Sequence, residues 1–188
     1  MAAVFAGVTL PILPVQILWI NMTTAVLLGL MLAFEPKEKG IMLRSPRKPD
    51  APILSRILMF RITLVGLLLL VGAFGLFEIA LVRGASEAEA RTVATNVFVF
   101  GELFYLFNCR SLTQPLSKLG FFSNRWLLAG VSGMIVLQLF FTYSSLMNGL
   151  FQTAPIGLVD WVQIILVGYV IYYSVKLEKI YQRKKAND

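Results

Sequence analysis

Polar side chains interrupt two stretches of this sequence that are otherwise apolar enough to cross a membrane. The stretch 15–34 carries no charged residue, yet Asn21 and Thr24 lie near its middle, and the stretch 92–107 holds the carboxyl group of Glu102 at a similar depth. Polar and ionisable groups inside a membrane span are costly and usually mark an ion pathway. The two stretches therefore predict a route for cations through a bundle of helices.

Asn21 and Thr24 are three positions apart, so a helix places their side chains on the same face. Their oxygen atoms are suitable ligands for hard cations such as Ca²⁺, Na⁺ and K⁺. Thr23 points in another direction, and we predict that its hydroxyl bonds a backbone carbonyl instead.

The carboxyl group of Glu102 needs compensation at this depth. An ionised side chain at the centre of a bilayer costs at least about 2.5–3.5 kcal/mol when nothing offsets it. A proton, a bound cation or a water-filled cavity would each relieve that cost. A carboxylate that alternates between a proton and a cation suits ion transport, and the alternative interpretation is a protonated Glu102 that holds two helices together.

The composition places these stretches in an integral membrane protein. Of the 188 residues, 57% are hydrophobic and only 14% are charged, whereas a soluble domain carries about 25% charged residues. A helix needs about 20 apolar residues to span the bilayer core. We predict an all-α membrane protein, a bundle of five full transmembrane helices at about 15–34, 57–82, 92–108, 126–146 and 157–176.

The start of the chain predicts a further, incomplete helix. Its first ten residues, MAAVFAGVTL, are apolar but too short to cross a membrane. They lack the basic residues that open a secretory signal. We predict that 1–10 are the remnant of a truncated N-terminal transmembrane helix, that 11–14 form a tight outer turn, and that 11–188 form one transmembrane domain.

The distribution of basic residues predicts the orientation of the chain. Of the 17 lysines and arginines, seven lie in 35–61, three in 109–125 and five in 176–185, while 83–91 and 147–156 together hold two. Loops rich in lysine and arginine stay in the cytoplasm. The C-terminus is therefore predicted to be cytoplasmic, and the net charge of +7 needs no nucleic-acid partner.

Three further predictions concern single residue types. The sequence has no histidine and one cysteine, Cys109, which excludes imidazole metal sites and an intrachain disulfide. Gln138 is the notable polar group inside the fourth span, and we predict that it forms an interhelical hydrogen bond. Trp19, Trp126 and Trp161 lie near span ends and are predicted to be interfacial anchors.

Several segments resemble the C-terminal transmembrane domain of type II P-type cation-transporting ATPases, in order and over nearly the whole chain. The segment LPVQILWINMTTA at 13–25 resembles the sixth transmembrane helix of that family, and MLRSPRKPDAPILS at 42–55 resembles the loop that follows it. The segments ARTVATNVFVFGELFYLFN at 90–108, NRWLL at 124–128 and DWV at 160–162 resemble helix eight and the starts of helices nine and ten. The resemblance implies helices six to ten, with the end of helix five, of a pump similar to calcium-pump-like bacterial cation ATPases.

The resemblance also assigns roles to particular residues. Asn21 and Thr24 match the asparagine and a nearby threonine of the sixth helix, and Glu102 matches the ion-site glutamate of the eighth. It therefore implies a partial metal site for the transported cation, which would be Ca²⁺, Na⁺, K⁺ or H⁺. Ala25 stands where calcium and sodium–potassium pumps have an aspartate, and the loss of that carboxylate favours fewer ions or monovalent ones.

The parts of the family that hydrolyse ATP have no counterpart in the matched segments. The family phosphorylates an aspartate in a DKTG motif, and this chain contains neither that motif nor a glycine-rich phosphate loop. The resemblance implies a chain with no catalytic residues and no cofactor of its own. ATP and Mg²⁺ would bind elsewhere in the parent pump. Its remaining helices and cytoplasmic domains, and the lipid bilayer, are the predicted partners, in a bacterial plasma membrane.

The sequence leaves two alternatives open. The first is a free-standing small membrane protein that acts as a binding or regulatory module. Half a helix at the N-terminus argues against it, because that helix would leave backbone groups unsatisfied in lipid. The second is an unrelated transporter or channel subunit, which would need a complete polar pathway within five helices.

Overall fold

The computed structural model describes residues 9–37, 54–111 and 123–187, and these residues form six helices. They are α1 Pro14–Leu32, α2 Arg56–Val82, α3 Glu87–Cys109, α4 Arg125–Tyr143, α5 Ser145–Phe151 and α6 Leu158–Asn187. All except α5 contain a stretch long and apolar enough to cross a membrane. The predicted all-α bundle of five transmembrane helices is therefore confirmed. Residues 1–8, most of the predicted helix remnant, lie outside the described residues, and Thr9 and Leu10 are not helical.

A side-chain cap moves the start of α3 well ahead of the predicted boundary at 92. The Ser86 hydroxyl accepts the backbone N–H of Glu89 at 3.3 Å, and the Glu89 carboxylate accepts the backbone N–H of Ser86 at 2.7 Å. This reciprocal pair satisfies two N–H groups that the first turn would leave unpaired. Arg91 adds an ion pair with Glu87 at 2.7 Å. The extra turn is polar, so a boundary placed by counting apolar residues does not include it.

Two helices also end at positions that differ from the ends of the predicted spans. Helix α4 ends at Tyr143 rather than at 146, because Ser144 adopts an extended backbone and starts the short helix α5. Gln152 is the C-cap of helix α5, and its backbone is in the left-handed conformation at φ 52°. Helix α6 continues to Asn187, beyond the predicted end at 176.

Helix α1 departs from regular geometry in its middle. Pro14 occupies its first turn rather than the predicted outer turn, a position where a missing N–H costs nothing. The Gln16 amide accepts the N–H of Leu13 and donates to the carbonyl of Phe151, both at 2.9 Å, which ties the start of α1 to the end of α5. After one α-helical segment the chain winds as a π-helix over Thr24–Gly29.

Helix α3 lies at the centre of the bundle. In its most apolar 18-residue stretch 67% of the residues are buried, against 22% to 33% in the other four spans. Close approach to its neighbours depends on glycines, as is common for helices packed in lipid. A Cβ at Gly101 of α3 would overlap Leu69 of α2, and one at Gly168 of α6 would overlap the ring of Phe104.

Buried charges fasten one end of the bundle, which we call the basic end after Arg61, Arg110 and Lys179. Arg61 of α2 pairs with Glu178 of α6 at 2.8 Å, and both side chains are buried. Lys179 donates to the backbone carbonyls of Asn108 and Ser111 at the end of α3. These contacts satisfy charges that would otherwise be costly to bury.

Arg110 fastens α1 to the same end. Its guanidinium group pairs with Glu35, just beyond α1, at 2.8 Å. Asn124 at the start of α4 donates to the same carboxylate at 2.8 Å. The carboxylate of Glu35 thereby links α1, α3 and α4.

Candidate cation site

The site begins with Thr24 on α1 and Glu102 on α3. Thr24 is the first residue of the π-helical segment and is buried. Glu102 lies in the second half of α3 and is partly buried. The π-helical segment packs against α3, and the side chain of Thr24 contributes to the electrostatic environment of the Glu102 carboxyl group. Two of the three predicted ligands, from spans far apart in sequence, therefore lie on helices that pack together and interact through their side chains.

The hydroxyl of Thr24 is committed to its own helix in this arrangement. It donates to the backbone carbonyl of Ile20 at 2.7 Å. A hydroxyl has one proton and two lone pairs, so a group bound to Ile20 offers only lone pairs to Glu102. The hydroxyl of Thr24 can therefore accept a hydrogen bond from a protonated Glu102 or coordinate a cation, and it cannot donate to the carboxylate while it donates to Ile20.

Thr23 behaves as the sequence predicts. Its hydroxyl donates to the carbonyl of Trp19 at 2.7 Å and lies 3.2 Å from that of Ile20. Back-bonding of this kind weakens the regular helical ladder, and the π-helix starts at the next residue. Insertions of this type are frequent at functional sites. In this chain the π-helical segment starts at Thr24, one of the predicted ligands.

Asn21, the third predicted ligand, has an exposed side chain on the outer face of α1. Ala25 is exposed as well. Within the described residues, no cluster of three or more histidine, cysteine, aspartate or glutamate side chains could hold a metal ion. The geometry thus offers one carboxylate and one hydroxyl, with an amide on an adjoining face, which is an incomplete shell for a hard cation.

A second buried polar layer lies beside the site, and the sequence interpretation recognised only part of it. The predicted interhelical hydrogen bond of Gln138 is confirmed, because its amide oxygen accepts the indole N–H of Trp19 at 3.1 Å. The prediction of Trp19 as an interfacial anchor is wrong, since that ring is buried and stacks on Phe141 at 5.1 Å. Asn96 donates to Thr142 across α3 and α4 at 3.2 Å. The signal for this layer was the run of polar residues at 92, 95 and 96 inside an apolar span.

Comparison with known families gives a match over most of the chain. The family model described as the C-terminus of cation-transporting ATPases matches residues 9–181. The chain is 52% identical over 186 residues, 99% of its length, to a probable cation-transporting ATPase F of Mycobacterium tuberculosis. It is 36% identical over 86% of its length to a cation-transporting ATPase of Synechocystis, and 32% identical over 87% to a calcium-transporting ATPase of Bacillus subtilis.

The matches cover only a part of each relative. This chain spans 21% of the mycobacterial protein and 18% of each of the other two.

Proposed function

This chain belongs to the family of cation-transporting ATPases and corresponds to their C-terminal membrane part. From this premise we propose that it takes part in ion transport. It is an integral membrane protein with five membrane-spanning helices. In the parent pump it supplies part of the intramembrane cation site and the helical scaffold around it. The family match favours this role over a free-standing binding module.

The observation that supports the role is that Thr24 and Glu102 lie on helices that pack together and that the Thr24 side chain interacts with the Glu102 carboxyl group. A carboxyl group at this depth must hold a proton or a cation, or be hydrated. The Thr24 hydroxyl, already bonded to Ile20, is arranged to accept such a proton or to coordinate such a cation. Alternation between the two states is what a transport ligand requires.

The ligands in the site limit the charge of the ion that it can bind. Glu102 is the one carboxylate that we assign to it, and Ala25 adds none. Divalent cations in proteins gather several negatively charged oxygen ligands. We therefore propose that the site binds a single cation, and a monovalent one more readily than a divalent one. Asn21, exposed on α1, completes the ligand set together with helices of the parent outside this chain. A proton that replaces the cation on Glu102 would serve as the counter-ion.

The rest of the parent supplies the energy. ATP and Mg²⁺ bind there, because this chain has no DKTG motif and no glycine-rich phosphate loop. The basic end of the bundle holds Arg61, Arg110 and Lys179, so we place that end and the C-terminus in the cytoplasm. The similarity to a mycobacterial protein supports a bacterial plasma membrane as the location.

The test is ion-stimulated ATP hydrolysis by the full-length parent pump, screened over Ca²⁺, Na⁺, K⁺, Mn²⁺ and pH. In the Glu102→Gln variant the concentration of the activating ion at half-maximal rate should rise about tenfold or more, which corresponds to roughly 1.4 kcal/mol. The matched control is Glu78→Gln, which removes an exposed carboxylate from α2. An unchanged ion affinity in Glu102→Gln would remove that residue from the site.

A further inference from the structure

Three buried polar atoms lack a partner where α1, α3 and α4 meet. They are the hydroxyl of Thr95, the amide oxygen of Asn96 and the amide nitrogen of Gln138, and no hydrogen-bond partner for them lies among the described residues. All three residues are fully buried. In the interior of a membrane bundle each unsatisfied polar atom costs several kcal/mol, so a group that satisfies them would be strongly held.

Other hydrogen bonds fix which atoms remain available. The amide nitrogen of Asn96 donates to the carbonyl of Thr92 at 2.9 Å and to the hydroxyl of Thr142 at 3.2 Å, which leaves its oxygen unpaired. The amide oxygen of Gln138 accepts the N–H of Trp19. An indole nitrogen can only donate, so the Gln138 amide cannot be reversed, and its nitrogen remains as a donor.

The hydroxyl of Thr142 links the Asn96 amide to the backbone of Gln138. Thr142 donates to the backbone carbonyl of Gln138 at 2.8 Å and accepts from the amide of Asn96. The Asn96 side chain therefore lies over the turn of α4 that carries Gln138. Thr95 adjoins Asn96 on α3, on the side of that helix where Glu102 also lies.

The hydrogen-bonding capacity of these three atoms determines which ligand fits the site. Gln138 presents a donor, Asn96 presents an acceptor, and the hydroxyl of Thr95 can act as either. A cation is disfavoured, because one of the three unpartnered atoms is an amide nitrogen, which can only donate, and none of them is a carboxylate oxygen. A neutral molecule that both donates and accepts fits all of them, and buried waters make two to four such bonds in proteins.

We propose that this junction is a binding site for ordered water. The water accepts from the amide nitrogen of Gln138 and donates to the amide oxygen of Asn96, and the Thr95 hydroxyl lies at the α1 side of the same hydrated pocket. It completes a polar bridge from α3 to α4 and, through Gln138 and Trp19, to α1. The proposal does not depend on the identity of the transported cation, or on Glu102 binding one.

The test is radiolytic hydroxyl-radical labelling of the wild-type full-length pump in nanodiscs, read out by mass spectrometry. Radicals form from bound water, so buried side chains next to that water are labelled although bulk solvent does not reach them. Trp19 and Phe141, which are buried and stacked on each other, should be labelled several-fold faster than Phe77. Phe77 is the internal control, because it is fully buried in the apolar core.

A variant locates the water. Gln138→Met preserves the length of the side chain and removes both polar atoms, so the labelling of Trp19 and Phe141 should fall to the rate of Phe77. Equal labelling of Trp19, Phe141 and Phe77 in the wild-type pump would overturn the proposal without any variant. Labelling of Trp19 and Phe141 that persists at the wild-type rate in a folded Gln138→Met pump would overturn it as well.

Discussion

Helices α1 and α3 each supply one side of the candidate site, but the bundle holds them differently. Helix α3 is regular and packed on most sides, with 67% of its most apolar stretch buried, while the value for α1 is 33%. Helix α1 is wound as a π-helix where it carries Thr24, and its outer face, with Asn21 and Ala25, is exposed. The difference indicates that the proposed ligand Glu102 is held in place and that the proposed ligands of α1 are the adjustable ones.

The contacts that hold α1 and α3 in the bundle show the same difference. Helix α3 is fastened along its length, by close glycine contacts in the middle and by Lys179 at the basic end. Helix α1 is held on either side of Thr24, by Gln16 and Trp19 before it and by the close contact of Met31 with Gly130 and the ion pair of Glu35 after it. A helix held on both sides of its middle can shift that middle without leaving the bundle. Four predictions test this comparison.

The largest effect is expected from Arg110→Met, which removes the guanidinium group that joins the end of α3 to Glu35. Breaking one side of a buried ion pair costs about 3–5 kcal/mol, because the partner keeps its charge. Thermal unfolding of the purified full-length pump should show a large loss of stability.

The control for that change is Arg83→Met at the opposite end of the bundle. Arg83 pairs with Asp160, but its side chain is 38% exposed, and exposed pairs contribute about 0–1 kcal/mol. Equal losses in the two variants would mean that the basic end does not hold α1 in place.

A smaller effect is expected from Gly168→Ala, which tests how tightly α3 is packed. The added methyl group would overlap the ring of Phe104 on α3, and overpacking of this kind costs about 1–3 kcal/mol. Gly133→Ala on α4 is the control, since a Cβ there meets nothing within 4 Å. If both variants unfold at the temperature of the wild type, α3 is not the rigid member of the pair.

The sequence predicts the fold of this chain well, and the limits of that prediction have physical causes. Five apolar runs of membrane length determine five spans whatever their neighbours are. The boundaries of α3 and α4 depend on the capping side chains of Ser86 and Glu89 and on the backbone at Ser144. Hydropathy does not report these interactions.

The candidate site was predictable only in part. The depth and type of Glu102 and Thr24 were enough to pair them. The burial of Trp19 was not predictable, because it follows from contacts with Gln138 and Phe141 of α4 that no local pattern encodes. The π-helix was not predicted either, because adjacent threonines occur in regular helices as well. Both of these features belong to α1, the helix whose geometry depends most on what surrounds it.

An added carboxylate on α1 should change the ion preference of the pump. Ala25→Asp places a negative charge on an exposed face beside the π-helical segment. The affinity for a divalent ion, measured by equilibrium binding to the full-length pump, should rise about tenfold, or roughly 1.4 kcal/mol. Val26→Asp introduces the same charge one position further on, where the side chain is also exposed, and should have little effect. An equal response of both variants would indicate a general electrostatic effect rather than a ligand.

The smallest effect is expected from a comparison of two neighbouring hydroxyls that differ only in the direction in which they point. Thr23 and Thr24 are both buried, and each donates to a backbone carbonyl at 2.7 Å. Of the two, Thr24 is the one whose side chain interacts with Glu102. Thr24→Val keeps the shape of the side chain and removes its oxygen, which should cost about 0.5–1.5 kcal/mol of ion binding. Ion-stimulated ATP hydrolysis should show a reduced affinity in this variant, restored in Thr24→Ser, and an unchanged affinity in Thr23→Val. If both valine variants lose affinity alike, the hydroxyls act by shaping α1 and not by contacting the ion, and the adjustable side of the site would be the backbone of that helix.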